Sequence, residues 1–342
     1  MKPSTKMNPL GKYKFYGILA CVILFFIIPL MGNDYIIHVA ILMLMNILLA
    51  ISLRVTYLTG YISFGQSAPA AIGAYSSAFL VMKIGLPFEI SFITAALVAT
   101  IFGTVLGAVA MKVRGAYFLL LTLAYVEVVR LIISVLEPWT MGVTGLVGIP
   151  SPSFFGIPIE SPKSIYIFFC CISLIIIYFT FRVEKSSLGL VWQGIGQNSE
   201  LCDSVGINTY RHRVLAFAIS SFVPGIVGSF YAHYMGVIFP DTFGWLWGAY
   251  IAFYNFIGGM GSFFGPILGA VFLTGISEPL RGVAEYEMLF FALVMVIVVI
   301  FMPEGIISLP KRARAVFKHL FYVSAKRNNL KYRPKEVTGD RD

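Results

Sequence analysis

The chain has 342 residues, of which 58% are hydrophobic and only 12% are charged. A soluble domain of this size carries about 25% charged residues, so this composition excludes a soluble globular protein. It indicates a polytopic membrane protein. The formal net charge of +9 does not indicate nucleic-acid binding. Its Lys and Arg residues cluster beside apolar runs, where such residues set membrane orientation and contact lipid headgroups.

Apolar runs long enough to cross a membrane follow one another along the chain, since a helix needs roughly 20 residues to cross about 30 Å of hydrocarbon. The predicted spans are residues 14–32, 35–53, 61–82, 90–111, 115–136, 164–182, 214–238 and 286–303. A longer run, 243–277, is interrupted by glycines. It is interpreted either as two short crossings or as a re-entrant hairpin from the outer side. The predicted fold is therefore an all-α bundle of eight to ten crossings with Gly/Pro-broken segments.

Basic residues fall on one side of this alternation. They flank the loop 183–213, precede the first span and fill the tail after Pro310, whereas the opposite loops are poorer in them. The positive-inside rule places this side, and with it both termini, in the cytoplasm. The chain then divides into a transmembrane domain, 1–310, and a basic cytoplasmic tail, 311–342.

The stretch Thr59–Leu80 places glycines, a proline and a glutamine inside an apolar region. Gly and Pro break membrane helices and free backbone dipoles to face a solute. Small residues also let helices pack closely, and the sequence leaves both interpretations open. The candidates for shaping a broken segment are Gly60, Gly65 and Pro69, and the candidates for a polar path are Ser63, Gln66 and Tyr75.

The interrupted run 243–277 is similar in sequence to the stretch Thr59–Leu80, because SFFGPILGA (262–270) resembles SFGQSAPAAIGA (63–74). The match is short. Two Gly/Pro-broken segments in opposite halves are nevertheless the pattern expected of an internal repeat in a transporter. The residues predicted to shape this second break are Gly258, Gly259, Gly261 and Pro266.

Two charged residues lie inside the fifth predicted span. Glu127 and Arg130 are three residues apart, which places them on one helix face. Glu127 is about 12 residues, or roughly 18 Å, from the cytoplasmic end of the span and so lies near the midplane. An intramembrane charge is costly and usually faces a bundle interior or a cavity. Glu127, with Thr122, is therefore a candidate for the polar lining of a solute path; the alternative is a structural ion pair.

The loop 183–213 has the pattern of two short helices outside the membrane. Val191, Trp192 and Ile195 have the spacing of an amphipathic turn, and Leu201 and Val205 repeat it after a possible N-cap. The loop is interpreted as a docking surface, with a solvated connector as the alternative.

Sequence motifs of catalysis and cofactor binding are missing from the chain. It contains no P-loop, no His-Glu-x-x-His, no Cys-x-x-Cys and no Gly-x-Ser-x-Gly, so we expect it to bind no ATP, metal or other cofactor of its own. The four cysteines have no metal or disulfide spacing and are interpreted as apolar core residues.

Six segments of the chain carry a family resemblance. They are GYISFGQSAPAAIGAYSSA (60–78), RGAYFLLLTLAYVEVVRLI (114–132), TGLVGIP (144–150), SSLGLVWQGIGQNSELCDSVGIN (186–208), LAFAISSFVPGIVGSFYAHYMGVIFPDTF (215–243) and IGGMGSFFGPILGA (257–270). In this order they resemble the permease subunits of branched-chain amino acid ABC importers, specifically the M-type partner of the permease pair. Each is moderately specific, and their common order carries the resemblance.

The resemblance implies a subunit of the bacterial inner membrane that moves leucine, isoleucine or valine by alternating access. Its implied partners are a homologous permease, two cytoplasmic ATPases that use ATP and Mg²⁺, and a periplasmic or lipid-anchored binding protein. This chain would then be a transport subunit and not an enzyme. Residues 186–208 resemble the family's coupling segment, and the residues expected to dock into the ATPase are Trp192, Ile195, Leu201, Val205 and Gly206.

The coupling segment departs from the family pattern. Leu190, Gln193 and Gly196 stand where arginines are common, so docking would be less electrostatic. Three alternatives remain open from sequence: a related ABC permease for urea, short amides or aromatic acids; a secondary transporter, which needs no docking segment; and a membrane-embedded enzyme, which the spans do not favour because they hold no convergent His, Asp or Cys set.

Overall fold

The computed structural model describes residues 32–113, 115–154 and 156–280, together with 289, 292–294, 296, 300 and 305–308. The predicted first span, apart from Gly32, lies outside the described residues. So do most of the last span, 286–303, and the whole tail, 311–342.

The described chain is built from helices joined by short connections. The helices are α1 (Asp34–Tyr57), α2 (Ser67–Met82), α3 (Phe88–Ala110), α4 (Ala116–Val135), α5 (Glu137–Thr140), α6 (Pro162–Lys185), α7 (Ser187–Gln197), α8 (Ser199–Ser204), α9 (Thr209–Met235), α10 (Trp245–Gly258) and α11 (Phe264–Leu280). Turns of 3₁₀-helix cover Gly142–Thr144, Pro240–Phe243 and Ile306–Ser308.

Four two-residue strands lie between these helices, namely β1 (Leu146–Val147), β2 (Ser153–Phe154), β3 (Ile157–Pro158) and β4 (Val237–Ile238). β1 pairs antiparallel with β4, with Leu146 opposite Ile238, and β2 pairs with β3 as a hairpin. The first pair ties the connection after α5 to the end of α9.

Five helices, α1, α3, α4, α6 and α9, are long and apolar enough to cross a membrane. They coincide within a few residues with five of the predicted spans, so the all-α polytopic class is confirmed. The two most buried are α1 and α9, in which 67% and 72% of the apolar window is inside the protein, against 28–33% for the other three. The bundle is therefore built around α1 and α9.

Small residues on α9 bring its backbone against two neighbouring helices. A Cβ on Gly225 would meet Ala96 and Ala99 of α3, and a Cβ on Gly228 would meet the Ala70 carbonyl of α2. Gly73 of α2 faces Gly225 equally closely. Such contacts between small residues let helices pack without a hydrophobic driving force in lipid.

The predicted span 61–82 is a helix only from Ser67 onward, so the prediction is wrong for residues 61–66. Residues 58–66 connect the end of α1 to α2 without helical structure, and Gly60 has a φ of +87°, a conformation that favours glycine. Pro69 is the third residue of α2, where its missing N–H breaks no helical hydrogen bond. We name residues 58–66 the break.

The interrupted run 243–277 forms an antiparallel hairpin of α10 and α11. Gly258 faces the Gly265 carbonyl, and Gly269 faces the Tyr254 carbonyl. Between the helices, Gly259 has a φ of +101°, and Gly261 has open space beside it. Pro266 is the third residue of α11, as Pro69 is of α2.

The turn of this hairpin lies at the end of the bundle where α1 and α6 finish. Arg54, in the last turn of α1, donates from Nη1 to the Met260 carbonyl at 2.6 Å. The hairpin thus reaches as far as the ends of its neighbours, which favours two short crossings over a re-entrant hairpin. We name this end, which also carries Arg182, Lys185 and Arg213, the basic end.

Replacing Gly228 by Ala should destabilise the bundle by about 1–3 kcal/mol, because the added Cβ meets backbone and not a movable side chain. Thermal unfolding of the detergent-purified protein measures the effect. The matched control is Gly275→Ala in α11, where nothing lies within 4 Å of the added Cβ. This control should be neutral or slightly stabilising, and equal losses in both variants would contradict the packing.

Candidate transport path and coupling site

Backbone N–H groups of the break find hydrogen-bond acceptors inside the protein. Near its start, the Gly60 N–H donates to the Tyr57 carbonyl at 2.9 Å. Further along, the Phe64 N–H donates to Thr122 Oγ1 of α4 at 3.2 Å, and the Gly65 N–H donates to Ser63 Oγ at 3.0 Å. Irregular backbone at membrane depth needs such shelter, so Thr122 and Ser63 stabilise the break by replacing helical partners.

The predicted polar lining divides into three places. Ser63, Gln66 and Thr122 come together at the break and are buried, and Gln66 Oε1 lies 3.5 Å from Ser52 Oγ of α1. Gly65 packs against Thr122 so closely that an added Cβ would lie 3.3 Å from the Thr122 Cβ. In the described chain this polar cluster is therefore enclosed between helices.

Tyr75 and Glu127 lie away from this cluster. Tyr75 is buried toward the other end of α2, where its hydroxyl lies 3.5 Å from the Ile238 carbonyl. Glu127 is half-exposed and forms an ion pair with Arg130, Oε2 to Nε, at 2.8 Å. Arg130 also contacts Asp241 of the 3₁₀ turn after β4, Nη1 to Oδ1, at 2.6 Å.

The Glu127–Arg130–Asp241 network lies on a face of α4 that no described helix covers. The side chains of Glu127 and Arg130 are 35% and 27% exposed, and large apolar residues such as Leu120, Val128 and Leu131 are exposed beside them. Lipid would solvate these charges poorly. The face is therefore suited to a water-filled path or to another protein chain.

The predicted docking residues also divide into two groups. Trp192 is fully buried in one cluster with Val55, Leu58 and Ala216, and Ile195 is buried as well. These two side chains pack inward and hold α7 to the bundle, so they do not belong to an exposed docking surface.

The other docking candidates lie at the surface around α8. Leu201 and Val205 are 63% and 69% exposed, and Leu190 of α7 is similarly exposed. Gly206 has a φ of +86° and turns the chain from α8 toward α9. An apolar surface of this kind outside the bundle is typical of a protein contact.

Helix α7 contacts the break backbone to backbone. A Cβ on Gly60 would lie 3.3 Å from Gly196 Cα, and a Cβ on Gly196 would meet the Leu58 carbonyl. Any displacement of α7 therefore acts directly on the start of the break. The sequence signal for this contact was Gly196 itself, a glycine in place of an expected arginine.

Sequence reasoning missed the buried ion pair at the basic end. Arg54 donates from Nε and Nη2 to the two carboxylate oxygens of Glu184, both at 2.8 Å, and both side chains are nearly inaccessible. With the Met260 carbonyl, the pair joins α1, α6 and the hairpin turn. The available signal was an acidic residue within the basic sequence Arg182–Lys185.

Comparison with known protein families assigns the chain to a family. The family model described as "Branched-chain amino acid transport system / permease component" matches residues 35–299, most of the chain and all of its long described helices. The chain belongs to this permease family. It is accordingly a multi-pass membrane protein of the ABC-importer permease type.

The names of similar proteins agree with this assignment. The chain is 28% identical over 318 residues to the high-affinity branched-chain amino acid transport system permease protein LivM of Escherichia coli, covering 86% of this chain and 75% of LivM. LivM of Salmonella typhimurium is 28% identical over 307 residues, 83% of this chain and 72% of that protein. A probable LivH of Methanocaldococcus jannaschii is 23% identical over 280 residues, 76% of this chain and 87% of that protein. No solved structure matches the chain significantly.

Replacing Arg54 by Met should destabilise the permease by about 3–5 kcal/mol, because it leaves the Glu184 carboxylate buried and unpaired. Adding Glu184→Met should restore most of this loss, since the double variant buries no charge. Thermal unfolding in detergent of both variants and of Arg182→Met, an exposed neighbour, measures the effect. A double variant less stable than Arg54→Met alone would contradict the pairing.

Proposed function

We propose that this chain is the permease subunit of an ABC importer and moves leucine, isoleucine and valine across the bacterial inner membrane. It pairs with a homologous permease, and a periplasmic or lipid-anchored binding protein delivers the amino acid. Family membership supports this assignment, as do the names of the relatives, which are branched-chain amino acid permeases.

The contact between Gly60 and Gly196 carries the mechanistic part of the proposal. Alternating access requires that movement of a cytoplasmic helix alters the membrane path. Here the helix α7 and the break share a backbone contact, and packed interfaces of this kind transmit discrete shifts rather than absorb them. A partner that displaces α7 would therefore displace the break.

The basic end faces the cytoplasm in this proposal. The last turns of α1 and α6 and the first turn of α9 bring Arg54, Arg182, Lys185, Arg211 and Arg213 to one end of the bundle. The positive-inside rule places such an end in the cytoplasm, where the ATPases bind and hydrolyse ATP with Mg²⁺. This chain would itself bind no nucleotide and catalyse no reaction.

The uncovered face of α4 is the proposed wall of the solute path. Glu127 and Arg130 are charged, half-exposed and at membrane depth, so they require a polar surrounding. A second permease packed opposite this face would enclose a path between the two chains. The buried polar residues Ser63, Gln66 and Thr122 support the break behind that wall.

The ATPase docks, in this proposal, on the exposed residues around α8, and Leu201 and Val205 lie at the centre of this surface. Changing both to Asp should reduce transport at least about tenfold, since two charges replace apolar contact surface and each 1.4 kcal/mol of lost binding is tenfold in affinity. Uptake of radiolabelled leucine by cells and copurification of the ATPase measure the effect.

The matched control changes Val143 and Val147 to Asp at the opposite end of the protein, where both side chains are comparably exposed. This control should leave copurification unchanged. If the Leu201 and Val205 variant is present at normal level and still transports leucine with its ATPase bound, the docking assignment is wrong.

Replacing Glu127 by Gln should preserve folding, because the amide still accepts a hydrogen bond from Arg130, yet it removes the charge from the path. We expect leucine uptake to fall about tenfold or more, a loss of roughly 1.4 kcal/mol in transition-state stabilisation. Glu160→Gln, in an exposed loop, is the control for charge loss. Normal uptake by Glu127→Gln would show that the ion pair is structural. Uptake of urea or aromatic acids instead of leucine by the unchanged permease would overturn the proposed cargo.

A further inference from the structure

A cavity of about 580 Å³ lies at the basic end between three elements of the mechanism. The break contributes residues 59–62, the start of α4 contributes Gly115, Ala116 and Leu119, and the α7–α8 segment contributes residues 195–200. Its volume is in the range of small-molecule sites. Neither the ion pair of Arg54 nor the charged face of α4 takes part in it.

A buried arginine lines this cavity and has no anionic partner among the described residues. Arg213 of α9 is only 9% exposed, and its buried Nε finds no hydrogen-bond partner within the described part of the chain. Its guanidinium carbon lies 4.8 Å from the centroid of the Tyr61 ring, and no carboxylate of the described residues pairs with it. A buried charge is normally paired and hydrogen-bonded, so an anion that reached this guanidinium through the cavity would supply the charge partner that the described chain does not.

The start of α4 adds a second attraction for negative charge. Gly115 is the N-cap of this 20-residue helix and provides no side-chain cap, and both Gly115 and Ala116 line the cavity. The first N–H groups of a helix lack partners within the helix, and the helix dipole favours an anion there. Arg213 and the α4 terminus therefore favour the same kind of group.

The other residues that line the cavity indicate which groups the ligand carries besides its anionic group. Ile62, Leu119 and Ile195 contribute apolar lining, and Glu200 contributes a carboxylate from the first turn of α8. We propose that the cavity binds a free α-amino acid with an aliphatic side chain, with its carboxylate at Arg213, its ammonium group toward Glu200 and its side chain on the apolar lining. The cargo identity rests on the proposed function.

Occupation of this site has a consequence for transport. The ligand would contact the break and the α7–α8 segment together, and so oppose their relative movement. Amino acid that accumulates on the basic-end side would then slow further uptake. The site thus acts as a product sensor, separate from the solute path on α4.

The test uses the full-length chain, purified with its partners and reconstituted in nanodiscs so that both faces are accessible. Gln197, exposed at the cavity, is changed to Cys as a reporter for a hydrophilic maleimide, in a background in which the four native cysteines of the chain are replaced by Ser. Leucine at about four times its Kd should slow labelling about fivefold by mass action, whereas inorganic phosphate should not. Arg213→Gln should abolish the protection.

The matched control is Arg211→Gln, which removes the same charge from the exposed side of the same helix and should keep full protection. Arg213→Lys, which retains the charge, should keep part of it and so separates loss of binding from misfolding. Unchanged protection in Arg213→Gln overturns the site. Equal protection by phosphate overturns the amino-acid ligand in favour of an oxyanion from another source, such as a lipid headgroup or nucleotide.

Uptake measurements separate this inference from the proposed function. Proteoliposomes preloaded with leucine should take up external leucine more slowly than empty ones, and Arg213→Gln should remove this difference. Transport of leucine without protection or feedback would overturn the sensor alone. Failure to transport leucine under any condition would overturn the proposed function itself.

Discussion

Backbone polar groups cannot be left unpaired inside a protein, and the break at 58–66, most of whose residues are buried, places a run of them between helices. The surrounding structure follows from this requirement. Thr122 of α4 supplies one acceptor to the break, and Gly248 of α10 packs directly on the Phe64 carbonyl. Glycines on α9 bring that helix equally close to α2. The bundle must therefore pack tightly around the break before the break can exist at all.

The same region lies against α7, the helix through which we propose that the ATPase acts on the solute path. Gly60 and Gly196 put the break and α7 in backbone contact, while Trp192 anchors α7 in the bundle. The Arg54–Glu184 pair holds α1, α6 and the hairpin turn together at this end. Helices that are held by buried contacts thus surround a non-helical connection, which is the arrangement that a transporter needs if movement at α7 is to reach the path.

Three charged sites in the described chain have different environments. Arg54 and Glu184 neutralise one another in the interior. Glu127 and Arg130 also form a pair, yet they remain half-exposed on α4, where a path or a second permease would surround them. Arg213 is buried without an anion. The first pair stabilises the fold, and the other two positions are suited to ligands or partners that the single chain does not supply.

The sequence by itself determined the membrane class, the five long spans and the family, because apolar length and ordered motifs are local properties of the chain. It also located both Gly/Pro breaks, since glycine and proline act on their own backbone. Tertiary structure alone decided that Trp192 packs inward while Leu201 stays exposed, that Arg54 meets Glu184, and that Gly60 meets Gly196. These facts depend on contacts between distant parts of the chain, such as Arg54 and Glu184, which are 130 positions apart. Helical periodicity identifies a face but not the neighbour that covers it.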